Sequence, residues 1–303
     1  MNVVAIDGLV KDYGRFRAVH GIDLDVRPGE VVGFLGPNGA GKSTTIRCLL
    51  DLLRPTAGTL RLFGADARTG GVEARRRVAY VPGELRLPAR TTAGELLDAV
   101  ARLRGDCDPA RRADVTERLG LDPTKATHGL STGNRRKVAL VCAFMSRADL
   151  LVLDEPTSGL DPLLQQVFRD LVRESRARGT AVLLSSHVLA EVQRTADRAV
   201  VLRGGRIVAR GTVEELRGTA AQHVEAVFDA PPSVPDLTGV PGVTGVEVDG
   251  PRVRARLSGS PTPLLTVLAA ARPLAVELAE PDLEDAFREL YEDDRHEGEE
   301  ATG

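Results

Sequence analysis

GPNGAGKST, residues 36–44, is the stretch on which the reading of this chain turns. An apolar run, VVGFLG (31–36), leads into it, and a segment of helical spacing from Lys42 to Leu53 follows, ended by Pro55. Strand, glycine-rich turn and helix start, in that order, are the setting in which G-x-x-x-x-G-K-[S/T] holds a triphosphate. Glycine at 36, 39 and 41 lets successive backbone N–H groups face inward, and the helix start adds partial positive charge. The cradle is assigned to Gly36, Pro37, Asn38, Gly39, Ala40, Gly41, Lys42, Ser43 and Thr44. Lys42 is expected at the β- and γ-phosphates and the Ser43 hydroxyl on Mg²⁺. The plainer alternative is a glycine-rich turn with an incidental lysine. Lysines are few, however (Lys11, Lys42, Lys125 and Lys137), and one of them falls on the motif position.

Working outward, LLVLDEP (150–156) reads as a buried strand ending in two carboxylates. In an open α/β sheet that end is the ligand edge. Asp154 is expected in the Mg²⁺ shell. Glu155, one residue further out, is expected to orient and polarise the attacking water. TAVLLSS (180–186) is a second continuous apolar run, and His187 follows it at the same edge. There His187 could donate a hydrogen bond to a γ-phosphate oxygen. His20, His128, His223 and His296 have no comparable context.

RVAYVP (77–82) predicts a further strand, and TTAGELLDAVARLRG (91–105), Arg111–Leu119 and Leu163–Arg176 predict helices. Strands alternating with helices imply an α/β fold with a parallel sheet. Near residue 220 the texture changes, with proline and glycine abundant over 231–251. VEAVF, VTGVEV and RVRARL predict short strands there, and PLLTVLAAAR (263–272) a helix, giving a small α+β appendix at 221–292. The remainder, 293–303, is an acidic tail expected to fray.

The totals narrow the function classes. The chain has 303 residues, net charge −3 and pI about 6.0, with no basic surplus of the kind that nucleic-acid binding requires. Three cysteines at no metal spacing argue against a disulfide framework or a zinc site. The N-terminus has no long apolar core and so does not read as a signal peptide. The longest apolar run, Val138 to Met145, is far short of the roughly 20 residues that span a bilayer.

One more stretch, LSTGNRRKVAL (130–140), places Ser131 before an apolar helix-like segment. As an ordinary reading this is a helix N-cap, yet Ser131, Gly133 and the neighbouring N–H groups also make an anion site. Taken together, GPNGAGKST, LSTGN, LLVLDEP, SGLD (158–161) and SSH (185–187), in that order, resemble the ATP-binding-cassette ATPases over roughly residues 1–220. The resemblance implies a P-loop NTPase cassette with a mixed or parallel sheet core and a helical subdomain, binding ATP and Mg²⁺. LSTGN looks like the family's LSGGQ element, so Ser131 and Gly133 would contact the γ-phosphate of ATP held by a second copy of the chain. Asp161 of SGLD would lie at the same dimer seam. Tyr13, in KDYG, stands where the family stacks an aromatic ring on adenine. Gly83 occupies the family's usual glutamine position after Tyr80-Val81-Pro82, with Glu84 as the nearest replacement. In relatives that glutamine contacts Mg²⁺ and the membrane partner.

The appendix, with PDLEDAFREL (281–290), is similar to the tail of single-cassette subunits of drug-exporter-type transporters. This implies an ATPase docked, as a homodimer, on a separately encoded permease at the cytoplasmic face of the plasma membrane. A permease helix would be received beside the 80–105 segment, and the cargo is not encoded here. A cassette acting on nucleic acid or the ribosome is the alternative from another class. Such relatives carry tandem cassettes, coiled-coil arms or zinc modules, and none is legible here. A GTPase is disfavoured by the lack of an NKxD-like motif.

Overall fold

The computed structural model describes residues 1–218, 221–229 and 235–279. PDLEDAFREL and the acidic tail lie outside the described residues. The chain divides into two compact units at Thr212/Val213.

The first unit opens with β1 (Val4–Tyr13), β2 (Phe16–Val26), β3 (Val31–Leu35), α1 (Lys42–Leu49), β4 (Ala57–Leu62) and β5 (Ala65–Asp66). α2 (Gly71–Arg76), β6 (Val78–Val81), α3 (Ala93–Arg104), α4 (Pro109–Arg118) and α5 (Thr132–Phe144) follow. The unit closes with β7 (Leu150–Asp154), α6 (Pro162–Ala177), β8 (Ala181–Ser186), α7 (Leu189–Thr195), β9 (Arg198–Arg203) and β10 (Arg206–Thr212). α1 ends at Leu49, short of the expected Leu53. Asp51 turns left-handed at φ +57, and the Leu52 and Leu53 amides fold back onto the Arg47 carbonyl.

Two sheets result. β2-β1-β4-β5 is antiparallel, and β10-β9-β3-β8-β7-β6 is parallel except for β10. β3, β7 and β8 are buried along their whole length, as continuous apolar runs inside a parallel sheet require. The register matters for function. Leu35 pairs with Ser186, and Asp154 with Ser185. The chain therefore leaves β3, β7 and β8 at one sheet edge, carrying residues 36–41, Glu155 and His187 respectively. One core joins both sheets and includes Phe34, Ile46, Leu49, Leu62 and Val152.

α5 packs on α3 and α4, forming a helical layer. α3 starts with a capping box, in which the Thr92 hydroxyl takes the Glu95 N–H and the Glu95 carboxylate takes the Thr92 N–H. Two contacts tie this layer to α6. Phe144 meets Phe168 edge-on at 6.1 Å, and Glu174 accepts from both Arg111 (2.6 Å) and Arg118 (2.8 Å).

The second unit contains α8 (Val213–Gly218), β11 (Gln222–Val227), β12 (Val243–Asp249), β13 (Arg252–Leu257), α9 (Thr262–Ala271) and β14 (Ala275–Ala279). The strands form an antiparallel sheet in the order β12-β13-β11-β14. Val224, Ala226, Val253 and Ala255 pack with Leu264 and Leu268 of α9 in its own core.

β3 carries the phosphate loop, and its fit against α7 depends on one missing methyl group. A Cβ at Gly33 would lie 2.2 Å from Cγ1 of buried Val192. Gly33→Ala should lower stability by on the order of 1–3 kcal/mol through overpacking. In thermal denaturation, adding Val192→Ala to that variant should raise Tm, a non-additivity expected only of residues in contact.

Candidate functional site

The site is built from the backbone upward. Gly36 sits at φ +153, where a Cβ would lie 2.2 Å from the Leu202 carbonyl oxygen. Gly41, at φ +106, caps α1, and a Cβ there would lie 2.9 Å from the Ala18 carbonyl oxygen. Only glycine satisfies both positions without moving the backbone. No side chain caps the start of α1, and its first turn holds no acid. The first N–H groups of this helix are thus left for an anion. Pro37, Asn38 and Gly39 form the exposed rim, with Ala40 buried beneath.

Lys42 is 6% exposed. Its ammonium donates to the carbonyls of Gly36 (2.6 Å) and Pro37 (3.3 Å), and lies 3.2 Å from Glu155 Oε1. That last pair is ionic rather than hydrogen-bonded. The other Glu155 oxygen, Oε2, is 2.7 Å from His187 Nδ1. Glu155 reaches both because its backbone is left-handed, at φ +50. For a residue other than glycine this costs about 1–2 kcal/mol. Two bonds to Ser185 hold the turn: the Glu155 N–H donates to the Ser185 carbonyl (3.1 Å) and hydroxyl oxygen (3.3 Å).

Asp154, 1% exposed, divides its two oxygens. Oδ1 accepts from Ser43 Oγ at 3.2 Å and from Ser185 Oγ. Oδ2 is buried and, among the described residues, has no hydrogen-bond partner. An orphaned carboxylate oxygen beside a serine hydroxyl suits a hard divalent cation that takes its remaining ligands from phosphates and water. Among the described residues no cluster of three or more His, Cys, Asp or Glu could hold a metal unaided. The pair Ser43 and Asp154 therefore fits Mg²⁺ and does not make a transition-metal cage.

Two groups near the site are shifted chiefly by burial. Burial, then the charge of Asp154, pushes the Tyr80 hydroxyl up to about 12. Burial raises the Glu191 carboxyl above its ordinary range, against the bond from Ser186 Oγ at 2.6 Å and one from Thr157.

The loop after β6 lies against this carboxylate. A Cβ at Gly83 would be 3.2 Å from Asp154 Oδ2, while Glu84 is exposed.

The signature residues lie apart from the cradle. Ser131 is exposed and caps α5, its Oγ accepting from the Asn134 N–H at 3.3 Å. Gly133 meets the SGLD turn, with a Cβ there only 2.8 Å from the Gly159 carbonyl oxygen. Asp161 caps α6 through the Leu164 N–H at 2.9 Å. Among the described residues, no hydrogen bond or ion pair joins Ser131, Gly133 or Asp161 to Lys42, Ser43, Asp154 or Glu155. Tyr13 is 46% exposed at the tip of the β1–β2 hairpin, with Lys11 Nζ 5.0 Å from its ring centre.

Glu191 and Arg136 belong to none of the sequence motifs, and Ser185 enters only as the first residue of SSH. Ser185 hides in an apolar strand and shows itself only through pairing with Asp154. Glu191 lies in the first turn of α7 and is tied to the end of β8 by the Ser186 hydroxyl. Arg136 sits among Arg135 and Lys137 and has no local signature.

Comparison with known proteins agrees with this geometry. A family model described as ABC transporter matches residues 19–158. The daunorubicin/doxorubicin resistance ATP-binding protein DrrA of Streptomyces peucetius is 40% identical over 226 residues, covering 73% of this chain and 68% of that protein. The Nod factor export ATP-binding protein I of Ralstonia nicotianae is 34% identical over 303 residues, covering 95% and 93%. A solved structure described as the ATP binding subunit of an ABC transporter is 31% identical, with a TM-score of 0.67, covering 72% of this chain and 92% of that one. The chain belongs to the ABC transporter family, among its ATP-binding subunits.

Proposed function

We propose that this chain hydrolyses Mg-ATP as a homodimer and so drives export through a separately encoded permease at the cytoplasmic face of the membrane. The observation that carries the reading is the division of the site. Lys42, Asp154, Glu155 and His187 converge on one sheet edge, while Ser131 and Gly133 stand at another helix start, joined to them by no hydrogen bond or ion pair among the described residues. A second copy facing the first supplies the missing half.

The chemistry follows from the contacts. Lys42 is already drawn toward Glu155, 3.2 Å away. An arriving γ-phosphate competes for the ammonium and releases one carboxylate oxygen. His187 keeps hold of the other, so Glu155 stays aimed while its released oxygen takes a proton from water. The water oxygen bonds to the γ-phosphorus, the bond to the ADP oxygen breaks, and ADP and phosphate result. Magnesium, when bound, neutralises charge on the phosphate oxygens, with Ser43 Oγ and Asp154 as its protein ligands. Tyr13 offers an exposed ring face to adenine.

Relatives named for drug resistance and for Nod factor export support the export direction. Among the described residues no helix is long and apolar enough to cross a membrane, and we assign the pathway to a partner chain. On this reading residues 1–220 are the motor, 221–292 an accessory domain and 293–303 a tail.

Glu155→Gln should bind ATP and dimerise yet lose about 10²–10⁴-fold in kcat, the range for removing a general base. Phosphate release and light scattering read both quantities. Trans assembly has a separate test. Lys42→Ala and Ser131→Arg chains should each be inactive alone, and mixing them should restore turnover, because one composite site of the mixed dimer is intact. No recovery on mixing, with both variants folded, rejects the shared site.

A further inference from the structure

Arg136 is a buried cation without a carboxylate partner. It lies on α5, five residues after Ser131, and is 3% exposed. Its guanidinium ends on two consecutive carbonyls, Nη1 donating to Pro82 and Nη2 to Gly83, both at 2.8 Å. Its Nε has no hydrogen-bond partner. Burial holds the guanidinium below its ordinary pKa, against the opposing fields of Asp154 and Glu155. Among the described residues neither carboxylate is within ion-pair distance. Desolvating a guanidinium is a cost that an apolar side chain of similar volume avoids. What the planar fork provides in return is two carbonyls fixed at once.

The other side of those carbonyls is the metal carboxylate. Gly83 is so close to Asp154 that a Cβ would lie 3.2 Å from Oδ2, the oxygen left without a partner. Residues 82–83 are therefore held by Arg136 through their carbonyls and lie against Asp154 at Gly83. Position 83 has no side chain to make the contact itself, and Glu84 is exposed.

We propose that Arg136 is a positioning residue that couples the start of α5 to Asp154 of the same subunit through the loop at 82–83. Ser131 and Arg136 belong to one helix and its cap, so a displacement at the signature end is shared by the guanidinium. When the partner's nucleotide engages Ser131, the loop shifts and the metal site of this subunit is retuned. This rests on the homodimer reading above.

The test uses the full chain in a Glu155→Gln background, with ATP, and Mn²⁺ as the metal probe followed by electron paramagnetic resonance. Mn²⁺ affinity is measured at protein concentrations where the chain is monomeric and where it is dimeric. With Arg136 present, dimerisation should change the affinity by about fivefold or more, the usual scale of coupling between sites. Arg136→Met should still dimerise, with the change reduced to less than about twofold. If Arg136→Met fails to fold by circular dichroism, Arg136→Gln, whose single donor nitrogen sits on a shorter stem and cannot fork to both carbonyls, is read in the same way. An Arg136→Met dimer with the full change, or a parent dimer with none, overturns the coupling alone. A parent that stays monomeric in saturating ATP overturns the homodimer reading and the coupling with it.

Discussion

Asp154 and Glu155 are consecutive carboxylates at the end of a strand buried throughout, and keeping both there is the constraint around which the cassette is arranged. An uncompensated buried charge is worth several kcal/mol of instability. Each charge is met differently. Ser43 and Ser185 donate to one oxygen of Asp154 and leave the other without a partner. Glu155 is turned back by its left-handed backbone to face Lys42 and His187. Ser185 serves both residues, giving its proton to Asp154 and taking the Glu155 N–H. The parallel register makes this possible, since Ser185 is the residue of β8 paired with Asp154.

The same logic applies to Lys42. Lys42 is buried, and a buried ammonium needs acceptors. It finds them in Gly36, Pro37 and Glu155. A triphosphate then replaces one anion with another at the same ammonium, without first creating a naked charge. On the proposed reading, what changes is Glu155, which goes from counter-ion of Lys42 to base. Exchange of partners at a preformed site costs less reorganisation than building one, which is the usual origin of electrostatic catalysis.

How much of this was legible depended on whether the signal was local. The strands around Val31–Leu35, Leu150–Asp154 and Ala181–Ser186 read directly, because burial on both faces demands unbroken apolar runs. Lys42, Ser43, Asp154, Glu155 and His187 read through motifs whose spacing encodes a phosphate turn or a strand end. The N-terminal sheet did not read. In β1 the alternation is broken at Gly8, which has φ +60, and by register shifts between Ile6 and Leu9 and between Lys11 and Asp12. β10 is an edge strand, and β14 is too short for a period to show. Ser185 and Arg136 matter through partners 31 and 54 residues away, and no window on the sequence spans such a pairing.

Two helix starts, those of α5 and α6, show how capping and binding can coexist. Ser131 uses a lone pair of its hydroxyl to cap α5. The same hydroxyl keeps its proton, and a proton is what a phosphate oxygen takes. The cap and the phosphate contact are therefore compatible roles of one oxygen. Asp161 is different. Its carboxylate only accepts, and Oδ1 is already engaged by the Leu164 N–H. It has nothing to donate to a triphosphate, and its negative charge repels one. On the homodimer reading, Asp161 therefore acts on donors of the partner chain, such as backbone N–H groups, and touches the nucleotide only through them. Gly133, two residues after Ser131, packs against Gly159, two residues before Asp161, which ties the two helix starts together. A facing subunit then meets one group suited to its phosphate and one suited to its backbone.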